Sequence, residues 1–400
     1  MIEVKRSDFP LLEKNQELIY LDSAATSIKP IQVINKINEY YTEYGVNVHR
    51  GVYTLSSIAT DEYEETRSVV AKFINCKPNE VVYTKGTTNG LNMLAYALKD
   101  QIKENDEIIV SVLDHHSSIM PWQVVAKEKN AKLVFVPLDE NNKITVENFK
   151  KVLTDKTKIV TIPLVSNVLG VIAPAKEITE LAHQKNVLVI CDGAQAVPHI
   201  SVDVKDLDVD FLAFSSHKML GPTGSGILYG KAKLLNKLNP VEFGGDMNDG
   251  VGMYDATYKD APEKFEAGTP SIESIIGLKT AIAYLSNIGM DNIHAHTKAL
   301  ANYVYEQLKD IENLEIYTKN PESGIFTFNI KGIHPHDTAT FLSTKNICVR
   351  AGHHCAQLIT NYLGCTGNVR ASFYLYNTMD DAKALVDAIK EACDYFKEWL

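Results

Sequence analysis

Val187-Leu188-Val189-Ile190-Cys191-Asp192-Gly193-Ala194-Gln195 is an apolar run that ends in a carboxylate, with an amide three residues on. A continuous run without polar alternation suits a strand covered on both faces. The same pattern recurs on either side of it. Residues 80–84, 107–113, 132–137, 158–164, 210–214 and 226–229 read as strands, and helical periods occupy 87–99, 118–130 and 175–186. Strands alternating with helices predict an α/β fold with a mostly parallel sheet covered on both faces. Ligands in such folds sit at the carboxyl ends of the strands. That rule singles out Asp192, and Gly86-Thr87-Thr88 at another strand end.

Phe214-Ser215-Ser216-His217-Lys218 lies between an apolar segment and a glycine-rich turn, Gly221-Pro222-Thr223-Gly224-Ser225-Gly226. A lysine is ordinarily a solvated surface charge, but this is a poor place for an idle one. A lysine for an aldehyde, a carboxylate for a pyridinium nitrogen and hydroxyl or imidazole donors for a phosphate are together what pyridoxal phosphate requires. Lys218 and Asp192 fill the first two roles. The helix start at Thr87 and Thr88 suits an anion, although either threonine could simply cap its helix. Gln195 could donate to the ring's phenolic oxygen. His115, in Asp114-His115-His116, can stack on a conjugated ring and handle protons. Neighbours in an extended segment point to opposite sides, so His115 and His116 are not expected to share a metal.

The chain has 400 residues, 45% of them apolar and 22% charged, with a net charge of −10. That length suits two packed domains. We expect a large domain over residues 21–267, and a smaller α+β domain formed by 1–20 and 268–400. In the latter, 271–288, 293–311 and 380–400 read as helices, and 314–318, 324–330 and 348–350 as strands. An acidic balance argues against nucleic acid or an anionic membrane as partner. No stretch is long and apolar enough for a bilayer span, and the charged start lacks the apolar run of a secretory leader. Six scattered cysteines are no disulfide framework, so a cytoplasmic, reducing setting is expected.

Arg350-Ala351-Gly352-His353-His354-Cys355 is the second feature. A cation close to a thiol favours the reactive thiolate, and loops carry reactive groups more often than cores do. Cys76, Cys191, Cys348 and Cys393 read instead as small buried hydrophobes. Zinc on His353, His354 and Cys355 would lack the usual ligand spacing, so no metal is assigned. Arg370 is a candidate fork for a carboxylate. Asn167, after another strand, could support the same pocket.

These segments, with Tyr20-Leu21-Asp22-Ser23-Ala24-Ala25, Val48-His49-Arg50-Gly51, Val165-Ser166-Asn167-Val168-Leu169-Gly170 and Phe265-Glu266-Ala267-Gly268-Thr269-Pro270, resemble nearly end to end the group II (SufS/CsdA-type) cysteine desulfurases of the class V aminotransferase superfamily. The resemblance implies the fold-type I architecture of pyridoxal-phosphate enzymes. It implies that Lys218 bonds the cofactor, that His115 stacks on its ring, and that Thr88, Ser215 and His217 bind its phosphate. Thr269 would reach the phosphate of a second subunit in a homodimer. Asn167, Arg370, Arg350, Ala24 and His49 would serve the substrate, L-cysteine. Cys355 would accept its sulfur and pass it to a protein acceptor of the SufE/SufU or scaffold kind, for iron–sulfur cluster assembly. L-selenocysteine as substrate, a kynureninase- or aminotransferase-type reaction, and a non-catalytic sulfur-relay scaffold are the alternatives. Asp114 where glutamate is common, the absence of a proline after Cys355, and a compact 244–257 region depart from the pattern. They bear on acceptor docking and loop rigidity.

Overall fold

The computed structural model describes Ile2 and residues 4–397. Among these, seven strands form one sheet: β1 (Val81–Thr84), β2 (Glu107–Val110), β3 (Lys132–Phe135), β4 (Thr157–Pro163), β5 (Leu188–Asp192), β6 (Phe211–Ser215) and β7 (Gly226–Gly230). Their spatial order is β1-β7-β6-β5-β4-β2-β3. β7 alone is reversed, antiparallel to both β1 and β6, and the remaining pairs are parallel. Successive strand residues enter opposite cores, as the two-residue period demands. Ile109, Val160, Cys191 and Leu212 join one apolar cluster; Ile108, Ile159, Ile190 and Ala213 join the other.

The covering helices are α1 (Thr54–Phe73), α2 (Thr87–Leu98), α3 (His116–Lys129), α4 (Ala175–His183) and α5 (Ile272–Ile288). α2 and α3 bury Leu91, Leu94, Ile119 and Trp122 on one face, while α1, α4 and α5 pack on the other. α1 carries no strand-alternation signal around it and was absent from the sequence reading.

Two boundaries differ from expectation for local reasons. The strand expected over 107–113 stops at Val110, because Asp114 folds back to accept the Ser111 N–H at 2.7 Å. Asp114 is wholly buried, so it closes this turn rather than meeting an acceptor. The helix expected from 118 starts at His116, because His115 Nδ1 caps it by accepting the Ser117 N–H.

A second, antiparallel sheet holds β8 (Leu314–Ile316), β9 (Ile325–Ile330), β10 (Arg350–Gly352) and β11 (Asn368–Ser372), in the order β8-β9-β11-β10. α6 (Met290–Leu308) and α8 (Met379–Phe396) cover it, with a short α7 (Gln357–Tyr362) between them in sequence. Residues 398–400 of the expected last helix lie outside the described residues. The N-terminal segment joins this layer: Ile19–Tyr20 pairs in parallel with Ile347–Cys348, and Asp22 bridges to Ser372. α5, just past residue 267, carries its buried face into the large sheet's core. No helix among the described residues is long and apolar enough to cross a membrane.

Gly226 opens β7 between Thr84 of β1 and Ser215 of β6. A Cβ there would stand 2.5 Å from Gly86 Cα and 2.6 Å from the Phe214 carbonyl oxygen, both backbone atoms. Overpacking against rigid backbone costs ~1–3 kcal/mol. Gly226→Ala should therefore lower the unfolding free energy, read from the shift of the urea midpoint, by an amount in that range. An unchanged midpoint would show that the sheet relaxes freely at this edge.

Candidate active site

A cleft of about 200 Å³ opens at the carboxyl edge of the large sheet, beneath β10 and β11. Ala24, Thr87, Thr88, His115, Asn167, Asp192, Gln195, Ser215, His217, Lys218, Arg350 and Arg370 all line it. Of the residues singled out from sequence, Cys355, Thr269 and His49 do not.

Lys218 ends a single turn, Ser216–Lys218, directly after β6. Its amine has no hydrogen-bond partner among the described residues. Burial pushes its pKa down to about 8; Asp192 opposes that shift, while Arg370 and Arg350 add to it. Asp192 ends β5 and is 5% exposed. One oxygen accepts the Ala194 N–H at 2.9 Å; the other has no partner among the described residues. Burial raises its pKa, against the pull of that N–H and of Lys218. Gln195 donates from Nε2 to the Ala24 carbonyl at 2.7 Å, which leaves its buried Oε1 without a partner.

His115 is held by its helix-capping bond, with Nδ1 accepting. Burial, then Lys218, His116, Arg350 and Arg370, push its pKa down to about 3. The ring is therefore neutral near pH 7, with its proton on Nε2. The N-terminus of α2 supplies an anion cradle. Gly86 before it adopts φ 137°, a conformation suited to glycine. Thr87 donates its N–H to Ser215 Oγ at 2.8 Å and shares a 2.7 Å hydroxyl bond with it. Thr88 and Ser117 hydroxyls lie 2.6 Å apart. Ser117 escaped the sequence reading; the i, i+2 spacing from a capping histidine was its only signal.

The other wall comes from the small sheet. Arg350 and Arg370 are directly opposed in the β10–β11 register. Like charges facing across a strand pair repel. Arg370 is 1% exposed, donates to the Asn167 carbonyl at 2.9 Å and to Asp22 Oδ1 at 3.0 Å, and keeps Nε unpartnered. Burial lowers its pKa, and Asp22 opposes that shift. A carboxylate seated here would relieve both the repulsion and the spare N–H. Asp22, the compensating charge, was not assigned a role from sequence.

Cys355 stands exposed at the rim, with Arg350 Nη2 3.7 Å from its Sγ. His354 and Cys355 both have left-handed backbones, φ 51° and 56°. His354 is buried and donates from Nε2 to the Asn368 carbonyl at 3.0 Å, so that nitrogen is committed to the backbone. Among the described residues no three His, Cys, Asp or Glu side chains form a metal cluster.

The donor set fits pyridoxal phosphate: a free buried amine, a carboxylate with an open oxygen, a neutral histidine and a hydroxyl-lined helix start. The family model for class-V aminotransferases matches residues 19–385. The chain belongs to the class-V aminotransferase family. Within that family, a probable cysteine desulfurase of Staphylococcus epidermidis is 50% identical over 396 residues, 97% of this chain and 96% of the relative. A cysteine desulfurase structure from Thermococcus onnurineus NA1 superimposes with TM-score 0.94 at 37% identity, covering 98% of this chain and 100% of that one. The cysteine desulfurase CsdA of Escherichia coli gives 0.91 at 36%, covering 98% of each.

Two expected site residues of this class-V chain lie elsewhere. His49 pairs with Glu64 at 2.9 Å. Thr269 is exposed on a separate hollow that includes Tyr83, Lys85 and Glu242. His116, unassigned from sequence, ties the cysteine turn to α3. Its N–H donates to the Cys355 carbonyl at 2.7 Å, and its Nε2 accepts the Gln357 N–H at 3.0 Å. His116→Ala should speed amide hydrogen exchange at Gln357 by roughly fivefold or more, the worth of one hydrogen bond. Unchanged exchange would mean that the imidazole does not hold this turn.

Proposed function

We propose that the chain is a pyridoxal-phosphate-dependent cysteine desulfurase that releases L-alanine from L-cysteine and leaves a persulfide on Cys355. One observation carries the reading: an exposed thiol bonded to Arg350, an arginine that also lines the cleft of Lys218, Asp192 and His115. When bound, the cofactor supplies an electron sink for charge developing at the substrate's Cα. The chain's residues do the rest. Asp192 keeps the ring nitrogen protonated through its open oxygen. His115 would cover the ring and, being neutral with its proton on Nε2, can donate a hydrogen bond from that nitrogen. Arg370 and Arg350 fix the substrate carboxylate and so orient Cα. Lys218, once released from the cofactor, removes the Cα proton, for which a lowered pKa suits it. The Cys355 thiolate attacks the substrate sulfur; the S–S bond forms as the Cβ–S bond breaks, and the bonding pair leaves with carbon, which is then protonated.

The working unit is a homodimer in which Thr269 and His49 serve the partner's site. That neither lines this chain's own cleft favours that arrangement. So does the hairpin of Asn248–Val251 and Ala256–Tyr258, which presents exposed Val251, Met253 and Tyr254. A protein thiol or cluster scaffold of the SufE/SufU kind takes the sulfur for iron–sulfur assembly, because a persulfide left in water is easily lost. Six unpaired cysteines suit a reducing cytoplasm.

Purified protein with L-cysteine and a reductant should release alanine, and Cys355→Ala should lose this while still binding cofactor. Full-rate alanine release by that variant would reject the thiol's role. Only the neutral Lys218 amine can capture the cofactor aldehyde. The capture rate of the apoprotein should thus rise nearly tenfold per pH unit up to about pH 8, and then level off. A rise that continues towards pH 10, where a solvated lysine titrates, would show that burial does not tune Lys218.

A further inference from the structure

We propose that Lys29 and Thr26 are positioning residues that fix the proton of His217 on Nε2, so that its imidazole donates to the cofactor phosphate. The proposal rests on the pyridoxal-phosphate reading of the cleft. Neither Lys29 nor Thr26 lines that cleft; they lie behind His217, which does.

The argument is one of hydrogen-bond capacity. The His217 carbonyl accepts the Ser27 N–H at 3.0 Å, the Ser27 hydroxyl at 3.0 Å and the Lys29 ammonium at 2.8 Å. The Ser27 hydroxyl is itself an acceptor for the Leu220 N–H at 2.8 Å, which leaves its own proton for that carbonyl. A carbonyl oxygen has two lone pairs, so three donors already exceed its capacity. Thr26 Oγ1 lies 3.1 Å from this crowded oxygen and 3.2 Å from His217 Nδ1. Lys29 Nζ also approaches Thr26 Oγ1, at 3.3 Å, and donates to the Ser27 carbonyl. The threonine oxygen therefore accepts from Lys29, and its single O–H turns to the one unsaturated acceptor within reach, His217 Nδ1. An imidazole that accepts at Nδ1 carries its proton on Nε2.

The alternative tautomer would present a bare lone pair to a phosphate. Removing Lys29 permits it: the carbonyl falls from three donors to two, the ammonium no longer occupies and orients the Thr26 hydroxyl, and Nδ1–H can donate to Thr26 Oγ1. Ring charge does not solve the problem, since burial, Lys218 and Lys29 push the His217 pKa down to about 4.

The test titrates apoprotein with pyridoxal phosphate and with pyridoxal, which lacks the phosphate, following absorbance. Thr26→Val keeps the side chain's shape and removes the hydroxyl. It should weaken pyridoxal phosphate binding about tenfold, the size of one hydrogen bond to a charged group, and leave pyridoxal binding unchanged. Lys29→Met should do the same, and Thr26→Ser should bind as wild type. Unchanged pyridoxal phosphate affinity in Thr26→Val, or equal losses for both ligands, would overturn the proposal. Should Lys29→Met fail to fold, the Thr26 pair carries the decision. Wild type that takes up no pyridoxal phosphate would overturn this proposal and the parent reading together, whereas the variant outcomes bear on this one alone.

Discussion

Water is withheld from several charged groups at one edge of a sheet, and the rest of the site follows from that. Burial moves Lys218 and Arg370 down and Asp192 up, each towards its neutral form. Buried charges are costly unless each finds a partner. Here the pairing is partial by construction: Asp192 keeps one oxygen open, Arg370 keeps Nε unpartnered, and Gln195 keeps Oε1 unpartnered. A ligand with a protonated ring nitrogen and a carboxylate would supply partners for the first two. The same desolvation therefore makes the cleft selective.

The fold supplies this tension cheaply. Strand ends bring Asp192 and Ser215 to one edge, because β5 and β6 are parallel neighbours and Asp192 pairs with Ala213, two residues before Ser215. Reversing β7 lets the chain return past Gly226, pressed against Gly86, so the helix start at Thr87 meets Ser215. The second sheet closes the cleft by register alone: pairing Arg350 with Arg370 directs two guanidinium groups at one space. Asp22, carried in by the bridge to Ser372, moderates the repulsion without cancelling it.

Much of this was legible in the sequence, and the reason is periodicity. Strands buried on both faces leave unbroken apolar runs, and each run that ends in Asp, Ser or a Gly-Thr-Thr turn marks the functional edge. Lys218, Asp192 and the Gly86 turn were readable on those grounds. Asp22 and His116 were not, because their roles depend on contacts across long sequence separations, and Ser117 offered only its two-residue spacing from His115. Nothing around His116 states that its Nε2 meets the N–H of Gln357, 241 residues away. Helix α1 was missed for the opposite reason: its buried face includes Ser56, Thr66 and Arg67, which blur an amphipathic pattern. The compact 244–257 stretch proved to be a hairpin whose apolar residues point outward, which composition alone does not reveal.

The cysteine turn shows how exposure and rigidity are combined. Two consecutive left-handed residues are unfavourable by ~1–2 kcal/mol each for non-glycine side chains, so His354 and Cys355 need support. They have it on every side. Asn167 Nδ2 donates to the His354 carbonyl at 2.8 Å, His354 Nε2 donates to Asn368, and the His116 N–H donates to the Cys355 carbonyl. With the turn held by two backbone carbonyls and one side chain, a sulfur carried on Cys355 moves by side-chain rotation between the Arg350 side and solvent, not by a swing of the loop. Its reach is then the length of one cysteine side chain. A sulfur acceptor in the proposed reaction must bring its own thiol to this rim, which places the burden of movement on the partner.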